Sequence, residues 1–570
     1  MPYKLLLTLF ISTMLFSFPG LAQVSVEKFG ALPDDTLNDR EAIQKAIDYC
    51  KKNRVKQLRF PPGRYIIREE KAIQLMNDVM DGKMGRNPQD IVYTPYYPYT
   101  RGIHINGFSE LEIRADGAFF AVQGWMEPIS IENSRQVSIQ GITIDYDTPP
   151  HSEGLVVRQE ADYFDLQFQK AFPIRNNMVM LRIMFWDLTK NRLQGNSLYF
   201  PKKNELLNDS TIRIWASTPE PVTGTMALIN HMFHFRPAVL LNESADIHLK
   251  QLTIHAQPGM GIVGHRTENI TMDGLRIVPA PGRYQSTNTD ATHFTSCKGL
   301  IRFNGCSFEG QGDDATNVHG YYQVITAAEA DQRYTIQMEK QWGTHAMVLD
   351  YPDAGDELEL VAKETLEVVG HYKVTKTIPR PKEWCTIIEL DKKIAGPINH
   401  YYLINRTRIP RLEFVNSYVG SHLARAVLVK TRNVLIENNT FRESTGTAIH
   451  IGAEGDWREG PGSANVHIRN NRILRCGRGD GTNDDATAIA INVKAPAATV
   501  AGIHRQILIE GNLIEGDSSI TGISISGATD VQVRNNVFSG CKNPIVHKFS
   551  TGLRFSNNYD GTKPIPSFSY

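Results

Sequence analysis

The sequence predicts an all-β protein: a parallel β-helix, closed at one end by an amphipathic helix and interrupted by two inserted antiparallel β modules. A ten-residue strand template recurs along the chain, the gaps between copies are too short for intervening helices, and two long stretches lose the template while keeping strand alternation.

The template is clearest near the C-terminus, in RNVLIENNTF from Arg432, ANVHIRNNRI from Ala464, RQILIEGNLI from Arg505 and TDVQVRNNVF from Thr529. Each copy is an alternating apolar strand, then Asn or Gly, then another apolar residue. It returns upstream in RQVSIQGITI from Arg135, ADIHLKQLTI from Ala245, ENITMDGLRI from Glu268 and GLIRFNGCSF from Gly299. Outside the two interruptions, successive copies are 23 to 41 residues apart, which suits one turn of a parallel β-helix rather than a βαβ unit. Asn at the corners accepts turn conformations and stacks from coil to coil. A sandwich of hairpins would need two-residue Asn-Gly or Asp-Gly turns between strand pairs, and few are present.

Taken in order, Met1 to Ala22 reads as a secretory signal peptide: a Lys at position 4, a short apolar run, a Pro-Gly break and small residues before Gln23. It directs the chain to the periplasm or the exterior, and without a Cys after the apolar run it lacks a lipoprotein signature. Residues 23–145 supply the cap and the first coils. FGALPDDTLNDREAIQKAIDYCKK from Phe29 contains an amphipathic helix with Ala42, Ile43, Ala46, Ile47 and Tyr49 to Cys50 on or near one face, and RFPPGRYII from Arg59 begins the first coil. Residues 146–235 and 321–410 are the inserted modules, residues 236–320 carry coils between them, and residues 411–570 complete the stack.

Lys plus Arg equals Asp plus Glu at 61 each, so there is no net field to attract nucleic acid or anionic lipid, and a polyanionic substrate is not favoured. No membrane span remains once the signal is removed. The six cysteines have neither CxxC nor His-rich spacing, so no metal or other cofactor is expected. Cys297 and Cys306 flank one strand and can be read as a disulfide or as buried thiols on adjacent rungs.

The chemistry points to GQGDDATNVHG, residues 310 to 320. Adjacent acids on a regular strand would face opposite ways, and an unpaired inward carboxylate is costly. Either Asp313 and Asp314 occupy a bend, or the inner acid has a partner. TDATHFTS from Thr289 superposes on DDATNVHG from Asp313 with a shift of 24 residues, stacking Asp290 over Asp314 and His293 over Asn317. Asp290, Asp313 and Asp314 then gather in one small region, where like charges raise at least one pKa. A second DDAT at Asp484 and Asp485 has no stacked acid in the coil before it and reads as a structural corner.

NTD at 288–290 followed by GDD at 312–314 resembles the acid motif of polygalacturonase-type β-helix glycosidases. More closely, NTDATHF from Asn288 and GQGDDATNVHG from Gly310, with the cap and two insertions, resemble glycoside hydrolase family 110, the secreted bacterial α-1,3-galactosidases acting on blood group B type glycans. The resemblance covers nearly the whole mature chain and implies a right-handed, pectin-lyase-like coil. It also implies hydrolysis with inversion and shared acid and base duties for Asp290, Asp313 and Asp314. The chain departs from the pectin-acting pattern where GSHLARAVLVKT, with His422, Arg425 and Lys430, stands in place of the Gly-His-Gly and Arg-Ile-Lys coils, which agrees with a neutral hexose.

His293, Asn317, His319, His422 and Arg425 lie on neighbouring coils and are candidates for holding sugar hydroxyls, although His and Asn in such places often serve only the fold. Trp457, in GAEGDWREGPG, offers a platform for a sugar face or a plug for its own loop. The competing readings are a polygalacturonase-like hydrolase, a calcium-dependent polysaccharide lyase using Arg425 or Lys430 as base, and a non-catalytic glycan-binding β-helix.

Overall fold

The computed structural model describes residues 23–94, 96–216, 223–338, 349–479, 481, 486–497 and 499–569. The signal segment, residues 1–22, and the acids of the second DDAT lie outside them. Among the described residues no helix is long and apolar enough to cross a membrane.

Each coil contributes one strand to a first parallel sheet and a pair of shorter strands to a second. Ile449–Glu454 belongs to the first sheet, and Ala464–Arg469 with Arg472–Leu474 belong to the second. The bend between the paired strands explains the Asn-Asn signature. Its first residue has a left-handed backbone, with φ of 57° at Asn438, Asn470 and Asn535 and 66° at Gly511, so only Asn or Gly sits there at low cost. Its second residue points inward as part of a ladder. The side-chain amides of Asn439, Asn471, Asn512 and Asn536 each donate to the Oδ1 of the next Asn at 3.0 Å, ending at Asn558.

Asn512 illustrates the cost of breaking that ladder. Its Oδ1 accepts both the backbone N–H and the side-chain amide of Asn471, while its own amide bonds Ile468 O. Asn512→Ala strands these buried partners and should cost about 3 kcal/mol. The expected result is a lowered urea midpoint with unchanged activity per folded molecule, and an unmoved midpoint would show the ladder to be energetically idle.

The apolar core runs the length of the coil from Val24 to Phe555. A first helix, α1 (Arg40–Asn53), covers its N-terminal end with Ile43, Ala46, Ile47 and Cys50 buried. Tyr49, expected near that face, is instead 43% exposed and packs its ring 5.2 Å from Phe29. Two further helices, α2 (Glu70–Met80) and α3 (Gln89–Val92), stand where only coil was expected. Ala72, Leu75, Val79 and Met80 of α2 have helical spacing and are buried. All six cysteines are free thiols, with Cys297 and Cys306 directed at the carbonyls of Gly264 and Met272.

Both interruptions are antiparallel. Strands between His151–Gln159 and Met226–Asn230 form a sheet with its own core around Phe164, Phe185 and Ile229. Six strands from Gln323–Ala330 to Tyr401–Asn405 close into a barrel filled by Tyr334, Leu358 and Ile388 among others. Its first and last strands pair, Gln323 against Leu403. The coil therefore resumes in register across the insertion, Thr316 pairing with Val427.

Candidate active site

The acids sit where the coil turns into its first sheet. Four consecutive rungs meet there, Thr292–Thr295, Thr316–Tyr321, Val427–Val429 and Ile449–Glu454. The ladder continues through the corner, since Ala291 N–H donates to Asp314 O at 2.9 Å and Ala315 N–H to Arg425 O at 3.0 Å. Asp290, Asp314 and Arg425 thus occupy one position on successive coils, each followed by a fully buried Ala, namely Ala291, Ala315 and Ala426. The next occupants of that position are Thr447 and Thr487, by the pairing of Val427 with Ile449 and of Ile449 with Ile489. In the second DDAT motif it is therefore Thr487, two residues after Asp485, that takes the place held by Asp314.

Asp313 and Asp314 lie in the bend before the strand, which answers how neighbouring acids reach one surface. Gly310 has φ of +71°, and a Cβ on Gly312 would fall 2.4 Å from Arg182 Nη2 and 2.5 Å from Asn288 O. The two glycines of GQG are thus set by backbone conformation and close approach. Asn288 is a pin, its amide on Met232 O at 2.5 Å. Arg182, from the first insertion, donates to Asn288 O at 2.7 Å and to Asn230 Oδ1.

The inner acid also has the partner that its burial demands. Arg425 clamps Asp314 through its backbone N–H at 2.8 Å, Nε at 3.1 Å and Nη2 at 3.0 Å. Such a fork is among the strongest hydrogen-bonded pairings open to a carboxylate. Burial, with Asp314 and Glu459 nearby, pushes Asp290 well above the usual carboxylate range. Burial followed by the charges of Asp314 and Asp290 does the same to Asp313. Asp313 is partly open to the cleft, and its carboxyl accepts no hydrogen bond among the described residues. The closest oxygens of the three acids lie within 4.8 Å of one another.

Behind the acids runs a chain of buried charges. Arg425 Nη1 reaches Glu454 at 3.3 Å, and Lys430, wholly buried, lies 2.5 Å from Glu454 and also pairs with Glu459. Although burial works the other way, Lys430 and Arg425 hold the Glu454 carboxyl well below its ordinary range. Glu459 Oε1 is 3.6 Å from His319 Nε2, His319 Nε2 is 2.8 Å from His293 Nε2, and His293 Nδ1 is 2.6 Å from Asp290 Oδ2.

A cleft of about 620 Å³ opens over the acids. Met260 lines it from the coil, Tyr199 and Phe200 from the first insertion, Phe233 and His234 from the irregular end of that insertion, and Tyr93 from the segment after α3. The Tyr93 and His234 rings stack 5.2 Å apart. Asp290, Asp313, Asp314, His293, Asn317, Arg425 and Trp457, all read from the sequence as site residues, line this space. Trp457 is 38% exposed, in the loop joining Ile449–Glu454 to Glu459–Gly460.

Two candidates fall elsewhere and two change character. His422 is fully buried and turns its ring inward, Nδ1 at Gly420 O and Nε2 at Arg425 O, because the corner carbonyls need a partner. His319 sits behind His293, outside the lining of the cleft. Arg425 is the counter-ion of Asp314 before it is a sugar ligand. Asn317 donates its amide to Glu459 at 3.1 Å. The expectation that no metal-ligand cluster forms, drawn from spacing along the chain, misses what stacking creates. Single ligand atoms of His293, His319 and Glu459, and of the three Asp, fall within 4.8 Å of each other.

Glu454, Glu459, Arg182 and the aromatic walls were not found from the sequence. For Arg425 a signal existed, since ARA aligns with DDA and TDA once the barrel is skipped. For the acids flanking Trp457 the signal was a pairing of residues across a tight hairpin.

Similarity to known proteins agrees with this geometry. Residues 403–559 match the right-handed β-helix region model. Over 558 aligned residues the chain is 27% identical to α-1,3-galactosidase A of Bacteroides fragilis, covering 94% of this chain and 86% of that protein. It is 27% identical to α-1,3-galactosidase B of Bacteroides thetaiotaomicron, covering 81% of this chain and 78% of that protein. For α-1,3-galactosidase A of Shewanella woodyi the figures are 27%, 86% and 81%. The chain is an all-β protein with a right-handed β-helix, related along most of its length to bacterial proteins named α-1,3-galactosidase A and B.

Proposed function

We propose that the chain is an inverting exo-glycosidase that releases terminal non-reducing α-1,3-linked galactose from blood group B type branched glycans and from linear α-1,3-galactosides. The observation that carries the chemistry is the asymmetry of the paired acids. Glycoside cleavage needs a protonated carboxyl for the leaving oxygen and an ionised one for water. Asp313 has the raised pKa and the open position of the acid, whereas Asp314, held through both oxygens by Arg425, has the cationic partner that suits the base. Asp290 stands one rung away, so the water can lie between it and Asp314.

Support for inversion comes from the number and tethering of the acids. Carboxyls about 5 Å apart ordinarily accompany retention, and these three are close. Yet both oxygens of Asp314 are taken by Arg425 and one oxygen of Asp290 by His293. Neither is free to swing onto a sugar carbon, while Asp314 can still receive a proton from water. The aromatic walls from the first insertion and from the segment after α3 favour a chain end over the middle of a polymer. Galactose as the sugar and α-1,3 as the linkage come from the relatives' names.

The lyase reading loses its base in this arrangement, since Arg425 is bound to Asp314 and Lys430 is buried between two glutamates. Secretion is part of the proposal and rests on the signal segment alone.

The test is hydrolysis of a linear α-1,3-galactobiose unit and a fucose-branched B-type oligosaccharide side by side, followed by proton NMR from the first minutes. Free galactose should appear first as the β-anomer. Release of no galactose from either substrate rejects the activity, and α-galactose first, or a trapped galactosyl-enzyme, rejects inversion.

A further inference from the structure

The pair His293–His319 is buried behind the acids, and its hydrogen-bond directions are constrained. His319 Nδ1 faces Gly320 O at 3.1 Å, which can only accept, so that nitrogen carries a hydrogen. In a neutral ring its Nε2 is then an acceptor, and the 2.8 Å contact requires the hydrogen to sit on His293 Nε2. With His293 neutral as well, its Nδ1 is left with a lone pair facing Asp290 Oδ2 at 2.6 Å, and the proton of that contact then belongs to Asp290. The resting chain is therefore Oδ2–H to Nδ1, Nε2–H to Nε2, and Nδ1–H to O=C.

A second arrangement uses the same protons. The Asp290 proton moves to His293 Nδ1 while the His293 Nε2 proton moves to His319 Nε2. Asp290 becomes a carboxylate, His293 stays neutral as its other tautomer, and His319 becomes an imidazolium. Each of the three hydrogen bonds survives, and Glu459 Oε1, 3.6 Å from His319 Nε2, stands beside the new positive charge.

We propose that Asp290, His293 and His319 form a proton relay in which Asp290 becomes a base by passing its proton inward to His319, making His319 a positioning residue for the reaction. The use of the relay rests on the hydrolase reading above, whereas the proton positions do not. The charged and titratable groups facing it are Asp313, Asp314 and Arg425 on the cleft side, and Lys430 and Glu459 behind. The Tyr321 ring stands edge-on to His319 at 5.0 Å. Burial keeps Asp290 raised and brings His293 down to about 4, in keeping with neutral forms at rest. A shared metal ion fits less well, because the 2.8 Å between the two Nε2 atoms is a hydrogen-bond length and Lys430 already pairs with Glu459.

His319→Gln separates a relay from a structural contact, since Gln can accept a hydrogen bond from His293 but cannot take its proton. Without that acceptor Asp290 must release its proton beside the carboxyl groups of Asp314 and Glu459. The acid limb of the kcat/KM profile on an α-1,3-galactoside should move up by about one pH unit, a tenfold loss on the acidic side. A folded variant whose acid limb stays at the wild-type pH overturns the proposal. Neutron diffraction from deuterium-exchanged wild-type crystals decides it without reference to turnover or to the variant's folding. Deuterium should lie between Asp290 and His293, between the two Nε2 atoms and on His319 Nδ1. A metal peak or no deuterium between the two Nε2 atoms refutes the relay, while absent galactose release with the expected deuterium pattern refutes only the hydrolase reading.

Discussion

Asp313→Asn should lower turnover about 10³-fold or more while the protein stays folded and binds its glycan, because the amide keeps the shape of the carboxyl and removes only the proton that is transferred to the leaving oxygen. The same change should stabilise the fold at neutral pH. Burial and the neighbouring Asp314 and Asp290 raise the Asp313 pKa in the folded protein, so the native state binds a proton that the unfolded chain has already released. Its contribution is complete below the unfolded value near 4 and is lost as pH rises through the raised folded value. Asn removes that loss. The variant should melt above wild type at pH 7 and converge with it near pH 4. Near-wild-type turnover would take Asp313 out of the mechanism, and a lower melting point at pH 7 would mean that its carboxylate is stabilised in a way the geometry does not show.

Lys430→Met should be the most damaging change to stability among the residues behind the cleft. The ammonium is wholly buried between Glu454 and Glu459, and removing one partner of such a pair costs about 3 to 5 kcal/mol, mainly because the other charge is left unpaired. Glu454 keeps Arg425 at 3.3 Å and Lys494 at 3.2 Å, and Glu459 keeps the Asn317 amide at 3.1 Å, so each carboxylate loses a cationic neighbour while retaining other contacts. A buried carboxylate that loses a cationic neighbour has a higher folded pKa than before, so the deficit should be small near pH 4 and grow as pH rises through that value. Urea midpoints for both proteins at pH 5 and pH 8 check this. An equal deficit at both would assign the loss to packing of the lysine stem.

How far the sequence reaches is clearest at the acids. The match of TDATHFTS with DDATNVHG is the register that the strands adopt, His293 against Asn317 and Thr292 against Thr316. That register is legible because adjacent coils repeat the same pattern with no insertion between them. The Asn-Asn corners were legible for a related reason, since each Asn answers a backbone or stacking demand of its own coil. Arg425 was seen without its partner Asp314, because the residue it clamps is one rung away in space and 111 residues away in sequence. His422 was misjudged because a corner histidine can turn toward either side of the wall, and its carbonyl partners decide which. α2 was missed because a short amphipathic run between strands looks like one more turn of coil. Tyr93, Phe233 and His234 carry no periodicity and reach the cleft from irregular segments.

The pairing of the barrel's first and last strands has a consequence for how the chain reaches its native state. During synthesis, the rung ending at Tyr321 leaves the ribosome long before Val427, its neighbour in the stack. A flexible tether of that length would bring the two rungs together slowly and against loop-closure entropy. Because Gln323 pairs with Leu403, the intervening module can fold as its own unit and deliver its two ends side by side. The nascent solenoid then meets its next coil across a short gap. Until that happens Asp314 is without Arg425, so the three acids cannot settle into their working charge states on a half-made chain. Maturation of the site is thereby tied to completion of a module that supplies none of the acids.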